Sequence, residues 1–234
     1  MILVYILLVY FIYKIFKEGY LKITKQFLNN LVKNKITYII IVFVIISIFL
    51  LDKRIGMIFW KKYNNVELGK IANFFQNLGK ADVISIPVII MYFIGIKYNK
   101  NLSKVSILAL ASNLYSGILV QLIKNIVLRE RPFVSFNELN FFKFNKIFHY
   151  TNLSFPSGHT ITGFSVCFIY FYFYKNKIIR ILSIIIAILI GLFRIYEGKH
   201  WLSDVIMGAY LGIIVAKTIY EANKVKMRYE NERK

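Results

Sequence analysis

The segment LSFPSGHTITGFSVCFIYFYFY, residues 153–174, changes character along its length. It begins with a turn around Pro156, Ser157 and His159 and then runs through mostly apolar and aromatic residues to Tyr174. The apolar part, with its flanking residues, is long enough for a helix that crosses a bilayer. Because a histidine beside such a helix is costly unless it is used, the segment predicts a membrane fold with a functional site at one end.

The rest of the chain repeats this apolar pattern. Of the 234 residues, 58% are hydrophobic and 17% aromatic, whereas soluble domains average about 45–50% apolar residues. The excess predicts an all-α, polytopic membrane bundle with six core transmembrane helices. The block at 1–16 is either a further span or a helix lying in the membrane interface. The six core blocks lie at about 36–51, 82–97, 105–123, 159–174, 178–193 and 204–220.

The distribution of positive charge predicts the orientation. One set of four segments, 17–35, 97–104, 175–180 and 217–234, holds 17 Lys and Arg residues. The three segments that alternate with them, 52–81, 124–158 and 194–203, hold only 13 in a greater combined length. Since the side denser in positive charge faces the cytoplasm, these three segments are predicted to lie outside. We therefore expect a hydrophobic segment with a basic cytoplasmic linker (1–35), a membrane domain (36–220) and a basic cytoplasmic tail (221–234).

Composition also argues against other classes of protein. The net charge of +20 comes from Lys and Arg residues between the hydrophobic blocks, and no basic helix or finger typical of a nucleic-acid binder is present. The single cysteine, Cys167, lies in an apolar run, which excludes an internal disulfide and predicts a packing role. Three histidines make a His-rich metal site improbable, so no metal or other cofactor is expected.

Two outer stretches have patterned apolar residues. In IANFFQNLG, Ile71, Phe74, Phe75 and Leu78 have the spacing of an amphipathic helix, which we expect to rest on the membrane surface. The second stretch, 133–155, is rich in phenylalanine and is typical of an aromatic belt at the membrane interface.

Three outer stretches contain clusters of polar residues that would be unfavourable inside a membrane. Lys124, Arg131 and Arg194 supply cations from separate segments, and a phosphate is the expected ligand between them. Ser157 and Gly158 open a predicted helix, where unpaired backbone N–H groups and the positive end of the helix dipole favour an anion.

Histidines complete this predicted anion site. His200 and Asp204 are four residues apart, so on a helix the carboxylate faces the imidazole and can accept the Nδ1 proton. That arrangement leaves Nε2 of His200 as a nucleophile. His159 is available as an acid for a leaving oxygen.

Three motifs in these stretches resemble the signatures of the type-2 phosphatidic acid phosphatase superfamily. They are K-x6-RP at 124–132, PSGH at 156–159 and R-x5-H-x3-D at 194–204. Their order and their sidedness among six predicted spans also agree with that family, over roughly residues 36–220. One position departs from the pattern, because Phe193 stands where the family usually has serine.

The resemblance implies a metal-independent phosphatase of membrane lipid phosphates that works through a phosphohistidine. By position, His200 attacks phosphorus, Asp204 orients it, and His159 protonates the leaving group and then activates water. The residues implied to hold the phosphoryl oxygens are Lys124, Arg131, Ser157, Gly158 and Arg194.

Several alternatives stay open. Candidate substrates are undecaprenyl diphosphate, which we favour, phosphatidic acid, phosphatidylglycerol phosphate and lipid A phosphates. A lipid phosphotransferase, a vanadate-dependent haloperoxidase and a non-catalytic lipid-binding or transport protein are the competing functions. We expect a multi-pass protein of a bacterial inner membrane with its site outside, and the sequence leaves the oligomeric state open.

Overall fold

A computed structural model describes residues 24–62, 66–144 and 149–232, and the block at 1–16 lies outside this part of the chain. The described residues form nine α-helices, a short 3-10 helix at Tyr150–Asn152 and no strands, so the all-α prediction is confirmed for them. The helices are α1 Thr24–Lys33, α2 Lys35–Leu50, α3 Asp52–Lys62, α4 Val66–Leu78, α5 Ala81–Tyr98, α6 Lys100–Val127, α7 Gly158–Phe173, α8 Lys177–Tyr196 and α9 Leu202–Glu232.

Each of the six predicted core blocks falls on one helix, α2 or one of α5 to α9. By length and hydropathy, α5, α6, α8 and the 202–224 part of α9 can each cross a membrane. A fifth span results if α1 and α2, which meet at 73°, count together. At 16 residues, α7 is shorter than an ideal span. The count of six spans therefore stays a prediction.

Asparagine caps set where three of these helices begin. Oδ1 of Asn34 accepts from the backbone N–H of Ile36 at the start of α2. Asn99 caps α6 and Asn176 caps α8 in the same way, each accepting from two backbone N–H groups. Asparagine is among the best residues at this position because its side chain satisfies donors that have no helical partner. By contrast, Ser157 precedes α7 without making a side-chain cap hydrogen bond within the described structure.

The centre of the bundle is formed by α6, α7, α8 and α9, and α7 packs closely against α9 through glycines. A methyl group on Gly208 would lie 2.8 Å from the carbonyl oxygen of Ser157, and one on Gly212 would lie 2.7 Å from that of Ile161. Small residues allow such close contact between membrane helices. The beginning of α7 is thereby held against the first two turns of α9. Cys167 is buried among apolar side chains of this core, as predicted.

Replacing Gly208 with alanine should lower the melting temperature of the detergent-solubilised protein. The added methyl group meets backbone, which cannot yield easily, and overpacking of this kind costs about 1–3 kcal/mol. Gly117→Ala in α6 is the matched control, because nothing lies within 4 Å of its added methyl group. That control should be neutral or stabilising by up to about 1 kcal/mol, as expected for alanine in a helix. A Gly208→Ala protein that melts no lower than the control would contradict this packing.

The predicted amphipathic helix is present as α4, but it does more than rest on a surface. Its face is divided, since Phe74 is 63% exposed whereas Phe75 packs inward against α8. Ala72, one turn before Phe75, is buried in the same contact. The helix is therefore anchored to the bundle beside the ends of α7 and α8.

Candidate active site

The first and second motifs meet at the loop before α7. Lys124 lies in the last turn of α6, and its Nζ donates to the carbonyl oxygen of Leu153. Nη2 of Arg131 donates to the same oxygen at 3.3 Å. Leu128, in the left-handed conformation, ends α6 and turns the chain toward Arg131. The two cations are buried and converge on one backbone oxygen.

The second motif lies directly against the first and third. A methyl group on Gly158 would lie 3.7 Å from Cε of Lys124, so the lysine passes beside the first residue of α7. The backbone N–H of Ser157 donates to the carbonyl oxygen of Asp204 at 3.0 Å. Nε2 of His159 is buried and has no hydrogen-bond partner in the described part of the chain. The first turn of α7 thus presents a histidine nitrogen and an uncapped helix end beside Lys124.

His200 and Asp204 face each other, although not in the predicted way. The prediction placed both on one helix, but α9 begins at Leu202, so His200 lies in the turn before it. Nδ1 of His200 is 3.6 Å from Oδ2 of Asp204, just beyond hydrogen-bond distance. Both side chains are essentially buried. The carboxylate is therefore placed to orient the imidazole once the two groups move slightly closer.

The surroundings of His200 keep its imidazole neutral. Burial lowers the pKa of His200 well below its ordinary value, and the nearby cations Arg131, Lys124 and Arg194 lower it further, while Asp204 opposes them. The same crowding lowers the pKa of Arg131 to about 10, first by burial and then by Arg194. A neutral His200 has a lone pair available for bonding at neutral pH. All three predicted cations thus contribute to the lowered pKa of this one imidazole.

Two residues that were not predicted to belong to the site hold Arg194 from two sides. Its Nη1 donates to Oε2 of Glu197 at 2.5 Å and to Oε1 of Gln76 at 2.9 Å. Glu197 is 5% exposed, and burial is the main cause that raises its pKa. Its carboxylate faces inward because it pairs with Arg194, three residues earlier. Gln76 was missed because it comes from α4, 118 residues away.

Phe193 lies at a position where the family that the chain resembles usually has serine, and its packing explains the difference. Its ring stacks on that of Phe75 at 5.3 Å with an interplanar angle of 6°. Tyr196 contacts the Phe193 ring edge-on at 6.0 Å, and Ala72 completes the same apolar cluster. The phenylalanine thus replaces a hydroxyl group with an apolar contact that fixes α4 beside Arg194.

The phenylalanine-rich loop covers the other side of the site. Trp201 is buried, donates from Nε1 to the carbonyl oxygen of Glu130 at 3.0 Å and contacts Phe136 edge-on. The ring of Tyr150 lies 3.9 Å from the guanidinium carbon of Arg131. His149 is exposed and shares a hydrogen bond with Thr151, and it had no predicted catalytic role. Some aromatic side chains of this loop therefore pack beside Arg131 and Trp201, whereas Phe142 and Phe144 are exposed, and the predicted belt at the membrane interface stays a prediction.

Asp52 and Arg129 form part of the same buried network, although neither was predicted to have a role. Nη1 of Arg129 donates to Oδ1 of Asp204 at 2.6 Å, and its Nη2 donates to Oδ2 of Asp52 at 2.8 Å. The available signals were weak, being one acidic residue after an apolar block and one arginine two residues before Arg131. Within the described residues, no group of three or more His, Cys, Asp and Glu side chains is arranged to hold a metal ion.

Comparison with known proteins points to one family. The model of the PAP2 superfamily matches residues 105–228, which include all three motifs. The chain is 30% identical to the bacitracin transport permease protein BcrC of Bacillus licheniformis over 161 residues, covering 63% of this chain and 76% of that protein. It is 32% identical to phosphatidylglycerophosphatase B of Bacillus subtilis over 81 residues, or 31% of this chain and 40% of the relative.

Among solved structures, the fold is similar to that of a transmembrane PAP2-type phosphatidylglycerolphosphate phosphatase from Bacillus subtilis. The TM-score is 0.57 at 19% sequence identity, over 79% of this chain and 94% of that one. At this identity the likeness concerns the fold alone. The helical bundle and the three motifs thus agree with the same family.

Proposed function

This chain belongs to the PAP2 superfamily of membrane lipid phosphatases, and from that premise we propose that it hydrolyses a lipid phosphomonoester or diphosphate through a phosphohistidine. The observation that carries the proposal is the buried His200, whose Nδ1 lies 3.6 Å from Oδ2 of Asp204. Burial and the nearby cations Arg131, Lys124 and Arg194 lower the pKa of this histidine, which favours the neutral imidazole. Phosphoryl transfer depends mainly on positioning and on stabilisation of charge, and both are available in this arrangement.

The proposed first step transfers the phosphoryl group to the protein. Nε2 of His200 attacks phosphorus, a P–N bond forms, and the bond from phosphorus to the lipid oxygen breaks. Once the negatively charged phosphate is bound, it favours a protonated His159, which then gives this proton to the departing oxygen. Asp204 accepts a hydrogen bond from Nδ1 and stabilises the imidazolium that develops. The buried Nε2 of His159 has no hydrogen-bond partner among the described residues. It is therefore available to the departing oxygen, which supports this role.

The proposed second step regenerates the protein. His159 removes a proton from a water molecule, the resulting hydroxide attacks phosphorus, and the P–N bond breaks to release inorganic phosphate. Lys124, Arg131 and Arg194, with the backbone N–H groups that begin α7, are proposed to hold the phosphoryl oxygens in both steps. The convergence of Lys124 and Arg131 on one carbonyl oxygen supports this assignment.

The substrate is proposed to be a bacterial lipid phosphate, with undecaprenyl diphosphate tested first. The test is phosphate release by detergent-purified protein in EDTA from undecaprenyl diphosphate, phosphatidic acid, phosphatidylglycerol phosphate and lipid A, with His200→Ala alongside. Release by the natural chain alone supports the proposal, and the lipid that is used best identifies the substrate class. Release that requires added metal, or release from none of these lipids, contradicts it.

A transport role is the second candidate, because one relative is named a transport permease. The three buried cations also suit simple binding of a lipid phosphate. Transport or binding without turnover would leave lipid binding intact in His200→Ala and release no phosphate from either protein.

We further propose that the protein lies in a bacterial inner membrane with the site on the outer face. In a Cys167→Ala background, Leu139→Cys in the aromatic loop should react with an impermeant thiol reagent added to intact cells, because Leu139 is 50% exposed. Lys175→Cys in the turn between α7 and α8, also exposed, should react only after the cells are opened. The reverse pattern of labelling would invert this orientation.

A further inference from the structure

Behind the proposed nucleophile lies a fully buried cluster of charged and hydroxyl side chains. Asp52 begins α3, Arg129 follows α6, and Ser203 and Asp204 lie in the first turn of α9. None of these four side chains is exposed, and neither is Ser154 in the loop before α7. The cluster connects elements that are distant in sequence, since Arg129 is 77 residues from Asp52 and 75 from Asp204.

Arg129 bridges the two carboxylates with both ends of its guanidinium group. Nη1 is 2.6 Å from Oδ1 of Asp204, and Nη2 is 2.8 Å from Oδ2 of Asp52. Its guanidinium carbon lies 4.7 Å from the centre of the Phe141 ring and 5.3 Å from that of Trp201. A buried charge of this kind is tolerated only with close partners. The planar fork of arginine suits the bridge, and the point charge of lysine does not reproduce it.

The two oxygens of Asp204 have separate tasks. Oδ1 accepts from Arg129, whereas Oδ2 accepts from the hydroxyl of Ser154 at 2.5 Å and from the backbone N–H of Trp201 at 2.9 Å. Oδ2 is also the oxygen that faces Nδ1 of His200. Because Arg129 holds the opposite oxygen, it fixes the rotation of the carboxylate about its own axis. Through its hydrogen bond to Oδ1, Arg129 therefore keeps Oδ2 of Asp204 directed toward His200.

Asp52 in turn fixes Arg129. Its Oδ1 accepts from the backbone N–H of Ser203 at 2.9 Å and from the hydroxyl of Ser47 at 3.2 Å. Its Oδ2 accepts from Arg129 and from the hydroxyl of Ser203. Burial raises the pKa of Asp52, and Arg129 and Ser203 oppose this by favouring the ionised form. This carboxylate lies outside the segment 105–228 that matches the family model.

We infer that Arg129 and Asp52 are positioning residues that hold Asp204 in the rotation needed to orient His200. The inference rests on the proposed function, because it assigns to Asp204 the task of orienting a nucleophilic histidine. Neither residue touches the proposed phosphate, so both act on turnover through Asp204 and leave substrate binding intact.

The test is a double-mutant cycle on turnover with the lipid that the natural chain uses best. Arg129→Gln should lower kcat by about 100-fold with KM changed less than about twofold, the size expected when an outer partner of a reacting group is lost. Asp204→Asn should lower kcat by about 10³- to 10⁴-fold, and adding Arg129→Gln to it should cost less than about threefold more. Asp52→Asn should lower kcat by about tenfold and should likewise cost little in the Asp204→Asn background.

Controls separate positioning from folding. Arg54→Gln, an exposed arginine on α3, should leave kcat and KM unchanged. Arg129→Lys keeps the charge without the fork, so it should fold and still lose about tenfold in kcat even if Arg129→Gln does not fold. Multiplicative losses in the cycle, or a loss confined to KM, would overturn the inference. An inactive natural chain would instead contradict the proposed function, and normal turnover in the Arg129 variants would contradict this inference alone.

Discussion

His200→Ala should abolish turnover, with a loss in kcat of at least about 10⁴-fold, as expected when a hydrolase loses its nucleophile. The imidazole of His200 is buried and neutral, and no other histidine takes its place, because His159 is placed by α7 as the proposed acid. The variant should also fail to form a phosphoenzyme when it is mixed with radiolabelled substrate and quenched. In the natural chain, the trapped label should be stable to base and labile to acid, as a phosphohistidine is.

The same experiment has a matched control in His149→Ala. That histidine lies in the described structure too, but it is exposed and hydrogen-bonds to Thr151 in its own loop. Its replacement should leave both turnover and labelling unchanged. Full labelling of the His200→Ala protein would mean that another group attacks phosphorus, and full turnover without labelling would favour direct attack by water.

His159→Gln should lose activity according to how much the leaving group needs a proton. For a lipid monoester, whose alkoxide is a poor leaving group, kcat should fall by about 10²- to 10⁴-fold, the usual contribution of a general acid. With nitrophenyl phosphate the first step needs no proton, so that step should be nearly as fast as in the natural chain. Hydrolysis of the phosphohistidine should still be slow, because no base activates water.

This difference has a direct signature. The His159→Gln protein should release one equivalent of nitrophenolate per active site in a burst and then stall with the label on His200. The glutamine approximates the size of the imidazole, and a methyl group on Gly79 would already lie 3.0 Å from Cβ of His159, so the pocket is closely packed. His149→Gln serves as the control. Equal losses on both substrates, without a burst, would show that His159 does not act as the acid.

The residues proposed to react were easier to predict from the sequence than the buried residues that hold them in place. Spacing predicted that Asp204 would face His200, and Nδ1 of His200 lies 3.6 Å from Oδ2 of Asp204. The helix nevertheless begins at Leu202, two residues later than the spacing assumed. Asp52 could not be predicted, because one carboxylate after an apolar block is equally typical of a membrane boundary. Its role depends on pairing with Arg129, 77 residues away, and a pair so distant in sequence leaves no local pattern.

Faces of helices were predicted only in part, for a similar reason. The spacing in 71–78 gave one apolar stripe, but Phe74 faces outward and Phe75 contacts Phe193 on α8. Period alone does not distinguish a side chain that faces lipid from one that faces protein, since both are apolar in a membrane. The number of spans is limited in the same way, because a helix of 16 residues such as α7 can be predicted from its composition but not placed in the bilayer by it.

The buried bridge through Arg129 also has a consequence for biosynthesis. A chain that enters the membrane from its amino end delivers Asp52 first, Arg129 several helices later, and Ser203 and Asp204 with the last helix. Until that last helix is inserted, Asp52 lacks its hydrogen bonds from Ser203. Arg129 can then pair only with the carboxylate of Asp52, and not yet with that of Asp204. A chain that ends before residue 202 therefore leaves an incompletely paired polar cluster beside apolar helices, which is costly until the last helix is in place.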